Sequence, residues 1–201
     1  LPMIEEKRVT STGGYYEYLK ISEGCDKHCT YCIIPKVRGD YRSYPMDYIV
    51  KQAEQLAESG VKELILVGQE VTMYGVDLHK GRGKGKKRLA ELISKLAKVE
   101  GIEWIRLLYC YPEEIDNDLI EAMRTEPKVV RYIDMPVQHV SDSILHMMGR
   151  NMTESKILKT IKKLRNAMPD ICIRTTLITG FPGETEYDFN VLKDFVNEQY
   201  I

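Results

Sequence analysis

The sequence lacks the features that mark membrane-spanning and secreted proteins. No apolar run approaches the roughly 20 residues that a helix needs to cross a bilayer. Residues 1–14 carry acidic side chains and no apolar core, which excludes a secretory signal peptide. The five cysteines are odd in number and unevenly spaced, so they are a poor framework for disulfide bonds. These absences predict a cytoplasmic protein with reduced thiols and no membrane partner.

The chain also lacks an excess of charge of either sign. Its 29 Lys and Arg residues and 30 Asp and Glu residues give a net charge of -1, so there is no global basic field to hold nucleic acid. Only the segment 79–88, HKGRGKGKKR, is locally basic. It is interpreted either as a solvated loop or as a weak contact with RNA or an acidic partner.

What the chain does contain is a cluster of cysteines in the segment EGCDKHCTYC. Cys25, Cys29 and Cys32 have the spacing C-x3-C-x2-C directly after a strand-like run. Thiolates so close together suit a single soft metal centre, and we predict an iron–sulfur cluster with one iron left open. The alternatives are a structural zinc site, which usually needs four ligands and would have to recruit His28, and three buried thiols that bind nothing.

Hydrophobic patterning predicts five β-α units in sequence. Strands are expected over 15–22, 62–67, 103–110, 132–137 and 171–178, and helices alternate with them, two of which begin at Asp116 and Thr153. Repeated crossovers predict an α/β fold with a parallel sheet and helices outside, either open or curled towards a barrel. The loops at the carboxyl ends of the strands, where such folds place their active sites, are 23–44, 68–87, 110–115, 137–141 and 179–185.

The 201 residues have room for one domain with a substantial core. Residues 1–14 are interpreted as a linker from an N-terminal domain that is missing here. Residues 15–201 are interpreted as a catalytic core that is truncated after the fifth β-α unit. Cys110 and Cys172, on the third and fifth predicted strands, are expected to be buried and to bind nothing.

The motif C-x3-C-x-aromatic-C after a first strand resembles that of radical S-adenosylmethionine enzymes, with Tyr31 in the aromatic position. The resemblance implies a partial (β/α) TIM-like barrel. It also implies a 4Fe-4S cluster whose open iron binds S-adenosylmethionine, and an electron donor such as flavodoxin or ferredoxin. The electron cleaves the cofactor to a deoxyadenosyl radical, and the protein positions cofactor and substrate.

The resemblance also implies roles for residues that follow the strands. Tyr31 would lie near the adenine, with simple loop packing as the alternative. Gln69 and Glu70 would contact the methionine amino group, with a solvated turn as the alternative. Gln138 would contact the ribose or methionine moiety, or only support the strand-end turn. Gly180 would pack the adenine edge.

Two arginines and a histidine are further candidates. Arg150 and Arg174 could each pair with a carboxylate of the cofactor or of the substrate, because a guanidinium binds carboxylates in a bidentate manner. His139 either contacts substrate or is a satisfied loop residue.

Several segments together resemble the methylthiotransferase family, closest to its branch that modifies an aspartate of a small-subunit ribosomal protein: YLKISEGCDKHCTYCIIPKVRG, VGQEVTMYG, WIRLLYCYP, MPVQHVSDSILHMMGR and TTLITGFPGET. The resemblance implies insertion of a methylthio group at an unactivated C–H bond. It also implies a second 4Fe-4S cluster in the missing N-terminal domain and an RNA-binding domain after the barrel. The alternatives are the family's transfer-RNA branch and a non-enzymatic zinc-binding module.

Overall fold

The computed structural model describes residues 12–79, 85–199 and 201. Within these residues the strands are β1 (Tyr16–Lys20), β2 (Ser22–Glu23), β3 (Arg42–Ser43), β4 (Glu63–Val67), β5 (Trp104–Leu107), β6 (Val129–Asp134) and β7 (Cys172–Arg174). The α-helices are α1 (Ile34–Arg38), α2 (Met46–Glu58), α3 (Leu89–Leu96), α4 (Asn117–Thr125), α5 (Asp142–Met147), α6 (Glu154–Ala167) and α7 (Glu186–Gln199).

The central sheet has the strand order β1-β4-β5-β6-β7, and all of its strands are parallel. The order follows the chain, with helices in each crossover, so the predicted parallel α/β sheet of five strands is confirmed. Leu19, Leu66 and Leu107 are neighbours across three strands and are buried against the helices. On the opposite face Tyr18 and Trp104 are about half exposed. The hydrophobic core therefore lies on the helical side of the sheet.

The first predicted strand, 15–22, is in fact two strands with different partners. β1 ends at Lys20, and Ser22–Glu23 instead pairs antiparallel with Arg42–Ser43. The chain turns out of the sheet at Ile21, whose N–H still donates to the carbonyl of Val67 at 3.0 Å. A strand's local pattern cannot show this change, because it does not specify which partner the backbone will meet.

The later strands are also shorter than, or shifted from, their predicted ranges. β5 ends at Leu107 because Tyr109 has φ 58, which breaks the extended conformation. β6 starts three residues earlier than predicted, at Val129 rather than Tyr132. β7 ends at Arg174, and one isolated bridge from Leu177 to Gln138 continues its pairing.

The two remaining cysteines differ from each other. Cys110 is fully buried, as predicted. The expectation that Cys172 is buried is wrong, because alternation along β7 turns Ile173 towards the core and leaves Cys172 exposed.

Side-chain caps fix the starts of several helices. Asp116 accepts a hydrogen bond from the N–H of Leu119 at 2.9 Å, which confirms the predicted start of α4. Thr153 caps α6 in the same way. At α7, Thr185 and Asp188 form a reciprocal capping pair, in which each side chain accepts from the other's backbone N–H. Within the described part of the chain, every helix is too short or too polar to cross a lipid bilayer.

Candidate metal centre and cofactor pocket

The cysteine loop lies between β2 and α1, at the carboxyl edge of the central sheet. The β2–β3 ribbon closes its base, where the N–H of Cys25 donates to the carbonyl of Gly39 at 3.2 Å. Asp26 accepts from the N–H of Tyr41 at 2.8 Å. Gly24 has φ 77, and a Cβ there would come within 2.2 Å of the carbonyl oxygen of Asp40. Only glycine fits this position, so the sequence Gly24-Cys25 sets the entry into the loop.

The three thiols differ in burial. Cys25 and Cys29 are buried, whereas Cys32 is partly exposed. Burial raises the pKa of Cys25 to about 11, against the hydrogen bond from the N–H of Lys27, and the nearby Glu70, Cys29 and Cys32 raise it further. A cavity of about 370 Å³ adjoins the loop and is lined by residues that include Tyr31, Cys29 and Cys32.

In the conformation described, no group of three or more His, Cys, Asp or Glu side chains from residues 12–79, 85–199 and 201 is close enough to hold a metal ion. The number and type of donors favour one of the candidate metals. A structural zinc site usually needs four protein ligands in a closed tetrahedron, whereas the loop supplies three thiols, Cys25, Cys29 and Cys32. Three thiols in one loop, two of which line an open cavity, fit an iron–sulfur cluster, which Cys ligands hold in proteins.

A network of charged residues lies under the loop. The ammonium of Lys27 pairs with Glu114 and lies 3.7 Å from Glu113. Lys87 also pairs with Glu114, at 2.7 Å. Burial alone would lower the pKa of Lys27, but the hydrogen bond to Glu114 and the negative charges of Glu113, Glu114 and Glu70 together outweigh it, so the pKa is raised. These pairs connect the loop to a short 3-10 helix, Pro112–Glu114, that follows β5.

Tyr111 and Arg150 lie beside Cys29. The phenolic oxygen of Tyr111 is 3.8 Å from the sulfur of Cys29. The Arg150 guanidinium carbon is 4.3 Å from the centre of the Tyr111 ring. Burial, with Cys29 adding to it, raises the pKa of Tyr111 well above its usual range, so the phenol keeps its proton. The sequence had given no role to Tyr111, because a tyrosine near Pro112 carries no local signal of its distant neighbours.

A second cavity of about 370 Å³ lies at the carboxyl ends of β1, β4 and β5. Its lining is Lys20, Ile34, Val67, Gly68, Gln69 and Tyr109. It is therefore the candidate cofactor pocket. The side chain of Gln69 also accepts from the N–H of Gly24 at 2.8 Å, which couples the pocket wall to the cysteine loop. Tyr109 belongs to a segment that carries the family resemblance, but the sequence predicted no cofactor contact for it, since its positive φ leaves no trace in the residue type.

The side chains of the adjacent residues Gln69 and Glu70 lie in different environments. Gln69 lines the pocket, whereas Glu70 is 1% exposed and turns into the protein. One oxygen of Glu70 accepts from the N–H of Thr72 at 3.0 Å and from its hydroxyl, and the other has no hydrogen-bond partner among the described residues. Burial raises the pKa of Glu70 to about 8, against the hydrogen bonds from Thr72. The contact of each with a methionine amino group stays a prediction.

The structure places the other predicted cofactor residues around the same edge. Tyr31 is 38% exposed, and burial together with Cys29 raises its pKa. Gln138 has φ 70 and exchanges backbone hydrogen bonds with Thr176 and Ile178, which gives it a structural role in the strand-end turn. Gly180 has φ 73 and open space around it. Their cofactor contacts stay predictions.

Arg174 and His139 have partners within the protein. Arg174 donates to the buried Asp134 at 2.6 Å, and Asp134 also accepts from the N–H of Tyr109 at 3.0 Å. The guanidinium thereby supports the pocket wall, and its pairing with a cofactor carboxylate stays a prediction. His139 is fully buried, and its Nδ1 accepts from the N–H of Ser141 at 3.0 Å. Its Nε2 lies 3.7 Å from Glu184 and has no hydrogen-bond partner among the described residues, so a substrate contact of His139 stays a prediction.

These features define a parallel α/β core with a three-cysteine loop and a pocket at its carboxyl edge. The family model described as the Radical SAM superfamily matches residues 19–196. The chain therefore belongs to the radical SAM superfamily.

Among characterised proteins, the chain is similar to enzymes named ribosomal protein uS12 methylthiotransferase RimO. It is 57% identical to that of Lachnoclostridium phytofermentans over 98% of this chain and 44% of the relative. It is 52% identical to that of Clostridium acetobutylicum over 98% of this chain and 43% of the relative. The predicted resemblance to the methylthiotransferases is confirmed, and the chain spans less than half the length of these relatives.

Solved structures confirm the fold. The radical S-adenosylmethionine methyltransferase TsrM from Kitasatospora setae has a TM-score of 0.72 at 16% identity, covering 91% of this chain and 34% of that one. Methylornithine synthase, PylB, has a TM-score of 0.61 at 14% identity, covering 93% of this chain and 52% of that one. The predicted partial barrel of the radical SAM type is consistent with both.

Replacing Gly24 by alanine is expected to disturb the cysteine loop, because the new Cβ must displace the carbonyl of Asp40. Gly60→Ala is the matched control, since Gly60 has φ 98 but nothing within 4 Å of its Cβ position. The control should lose about 1 kcal/mol of unfolding free energy, the cost of a positive φ. Gly24→Ala should lose more and bind less iron per chain after anaerobic reconstitution. Equal iron binding by the two variants would contradict this role of Gly24.

The buried carboxyl of Glu70 should make stability depend on pH. The pKa of this carboxyl is ordinarily 4.5 and is raised to about 8 in the fold. Between pH 4.5 and pH 8 the native state therefore holds a proton that the unfolded state has lost. The free energy of unfolding should therefore fall as pH rises from 4.5 to 8. Denaturant unfolding of the metal-free protein measures this fall. Between pH 4.5 and 8, the wild type should lose at least about 1 kcal/mol more unfolding free energy than the Glu70→Gln variant.

The control for Glu70→Gln is Glu100→Gln, at an exposed position. It should follow the wild-type profile. Parallel profiles for wild type and Glu70→Gln would show that the Glu70 carboxyl ionises normally in the fold.

Proposed function

We propose that this chain is the radical SAM core of a methylthiotransferase that modifies an aspartate of the small-subunit ribosomal protein uS12. The observation that carries the proposal is the 57% identity to a RimO enzyme over 98% of the chain, which includes the cysteine loop. Because the chain spans 44% of that relative, the activity and the substrate of the whole protein are proposals. The zinc-module alternative is disfavoured because the loop supplies three thiols, whereas a structural zinc site usually needs four ligands.

In the proposed site, Cys25, Cys29 and Cys32 would hold a 4Fe-4S cluster. Such a cluster, when bound, would supply the electron for reductive cleavage of S-adenosylmethionine. The chain's own part is to position the cofactor and the substrate and to exclude competing reactions. Cys25 and Cys29 are buried, which limits access of water to the thiolates. Gln69, Tyr109 and Lys20 would orient the cofactor in the pocket that they line.

The remaining parts of the proposal concern the protein around this core. Residues 1–14 would link to an N-terminal domain with a second 4Fe-4S cluster, and residues 15–201 would form the core. Of the proposed linker, residues 1–11 lie outside the described residues. A flavodoxin or ferredoxin in the cytoplasm would deliver the electron. Weak RNA contact through 79–88 is retained as a proposal, and residues 80–84 of that segment lie outside the described residues.

Reconstitution tests the cluster site. The wild-type chain, loaded anaerobically with iron and sulfide, should become brown and, after reduction with S-adenosylmethionine present, release deoxyadenosine. Each of the variants Cys25→Ser, Cys29→Ser and Cys32→Ser should abolish both results, because each removes one thiolate ligand. Cys172→Ser, at an exposed cysteine outside the loop, should match the wild type. A colourless wild-type protein with stoichiometric zinc after anaerobic purification would contradict the proposal.

The substrate is tested with the complete gene product that contains this chain. Small ribosomal subunits and transfer RNA are offered separately, and the products are analysed by mass spectrometry. We expect a methylthio group on an aspartate of uS12 and none on transfer RNA. A methylthioadenosine in transfer RNA without modified uS12 would instead assign the chain to the transfer-RNA branch.

A further inference from the structure

Tyr111 and Arg150 come from distant parts of the chain and meet at Cys29. Tyr111 immediately precedes the 3-10 helix after β5, and Arg150 lies between α5 and α6. The Tyr111 hydroxyl is 3.8 Å from the Cys29 sulfur, within hydrogen-bond range for a sulfur acceptor. This contact joins the sulfur of a proposed cluster ligand to a side chain outside the cysteine loop.

Arg150 fixes the ring of Tyr111 and brings a buried positive charge near the cluster site. Its side chain is 1% exposed, and its guanidinium lies over the Tyr111 ring at 4.3 Å. One terminal nitrogen donates to the carbonyl of Pro136 at 3.1 Å and lies 3.7 Å from Glu113. The other two guanidinium nitrogens have no hydrogen-bond partner among the described residues. The guanidinium stays charged in the fold, with Glu113 as its counter-ion.

The segment that carries Arg150 is packed tightly against the cysteine loop. The N–H of Thr30 donates to the carbonyl of Met148 at 3.0 Å, and its hydroxyl donates to the carbonyl of Met147 at 3.0 Å. A Cβ at Gly149 would come 3.2 Å from the carbonyl of His28. Contacts with His28 and Thr30, the residues before and after Cys29, thus fix the position of Arg150 relative to Cys29.

The geometry points to Tyr111 as a positioning residue that, oriented by Arg150, donates a hydrogen bond to the Cys29 thiolate and raises the reduction potential of the cluster. This inference rests on the cluster site proposed above. One-electron reduction adds a negative charge to the cluster and its thiolates. Hydrogen bonds to the ligand sulfurs and nearby positive charge stabilise that reduced state relative to the oxidised one.

Tyr111→Phe tests the inference, because it keeps the ring under Arg150 and removes only the hydroxyl. The reconstituted protein is titrated with a chemical reductant, and the reduced cluster is followed by electron paramagnetic resonance. We expect the equilibrium constant for reduction to fall about tenfold, which corresponds to a potential about 59 mV more negative. Arg150→Gln should shift the potential in the same direction. Tyr187→Phe, at a residue 75% exposed on α7, should leave it unchanged.

Each outcome separates this inference from the proposed function. A wild-type chain that takes up no cluster would overturn the cluster site itself. A full cluster in Tyr111→Phe with an unchanged potential would overturn only the inference. A variant that folds, as judged by its thermal transition without metal, but assembles less cluster would assign Tyr111 to assembly and would also count against it. If Arg150→Gln does not fold, Tyr111→Phe decides the question alone.

Discussion

The backbone of the cysteine loop must find its hydrogen-bond partners outside any long helix or central strand. The structure meets this constraint with partners from three separate segments: Gly39, Gln69 and Met148. Each partner belongs to, or follows, a different unit of the fold. The loop is therefore shaped by the whole carboxyl edge of the sheet, and the cluster site depends on the parallel topology that brings those segments together.

Buried ionisable groups accumulate beneath this loop. Glu70, Lys27 and Arg150 all lie in or near the interior, and neither Glu70 nor Arg150 has its hydrogen-bonding groups fully satisfied among the described residues. Burying such groups costs free energy unless each is paired. Ionisable groups with strongly perturbed pKa values cluster at functional sites. Their concentration around Cys25 and Cys29 agrees with a site that must control charge.

Backbone strain is found at the same edge. Tyr109 and Gln138 are the non-glycine residues with positive φ in the described part of the chain, and each follows a strand of the central sheet. Such conformations persist only when surrounding contacts impose them. Asp134 holds Tyr109 through its N–H, and Arg174 in turn holds Asp134. The candidate cofactor pocket is thus supported by an ion pair whose acidic member lies within the sheet.

The five-strand α/β order, the caps at Asp116 and Thr153, and the three-cysteine loop could be predicted from the sequence, because periodicity, capping and motif spacing are local properties of the chain. The packing of the folded chain was needed to show that Glu70 turns inwards while Gln69 lines a pocket, and that Arg174 pairs with Asp134. It also decided that Cys172 is exposed and that Tyr111 and Arg150 meet at Cys29. These outcomes depend on which distant segments the sheet brings together, and residue type carries no record of those neighbours.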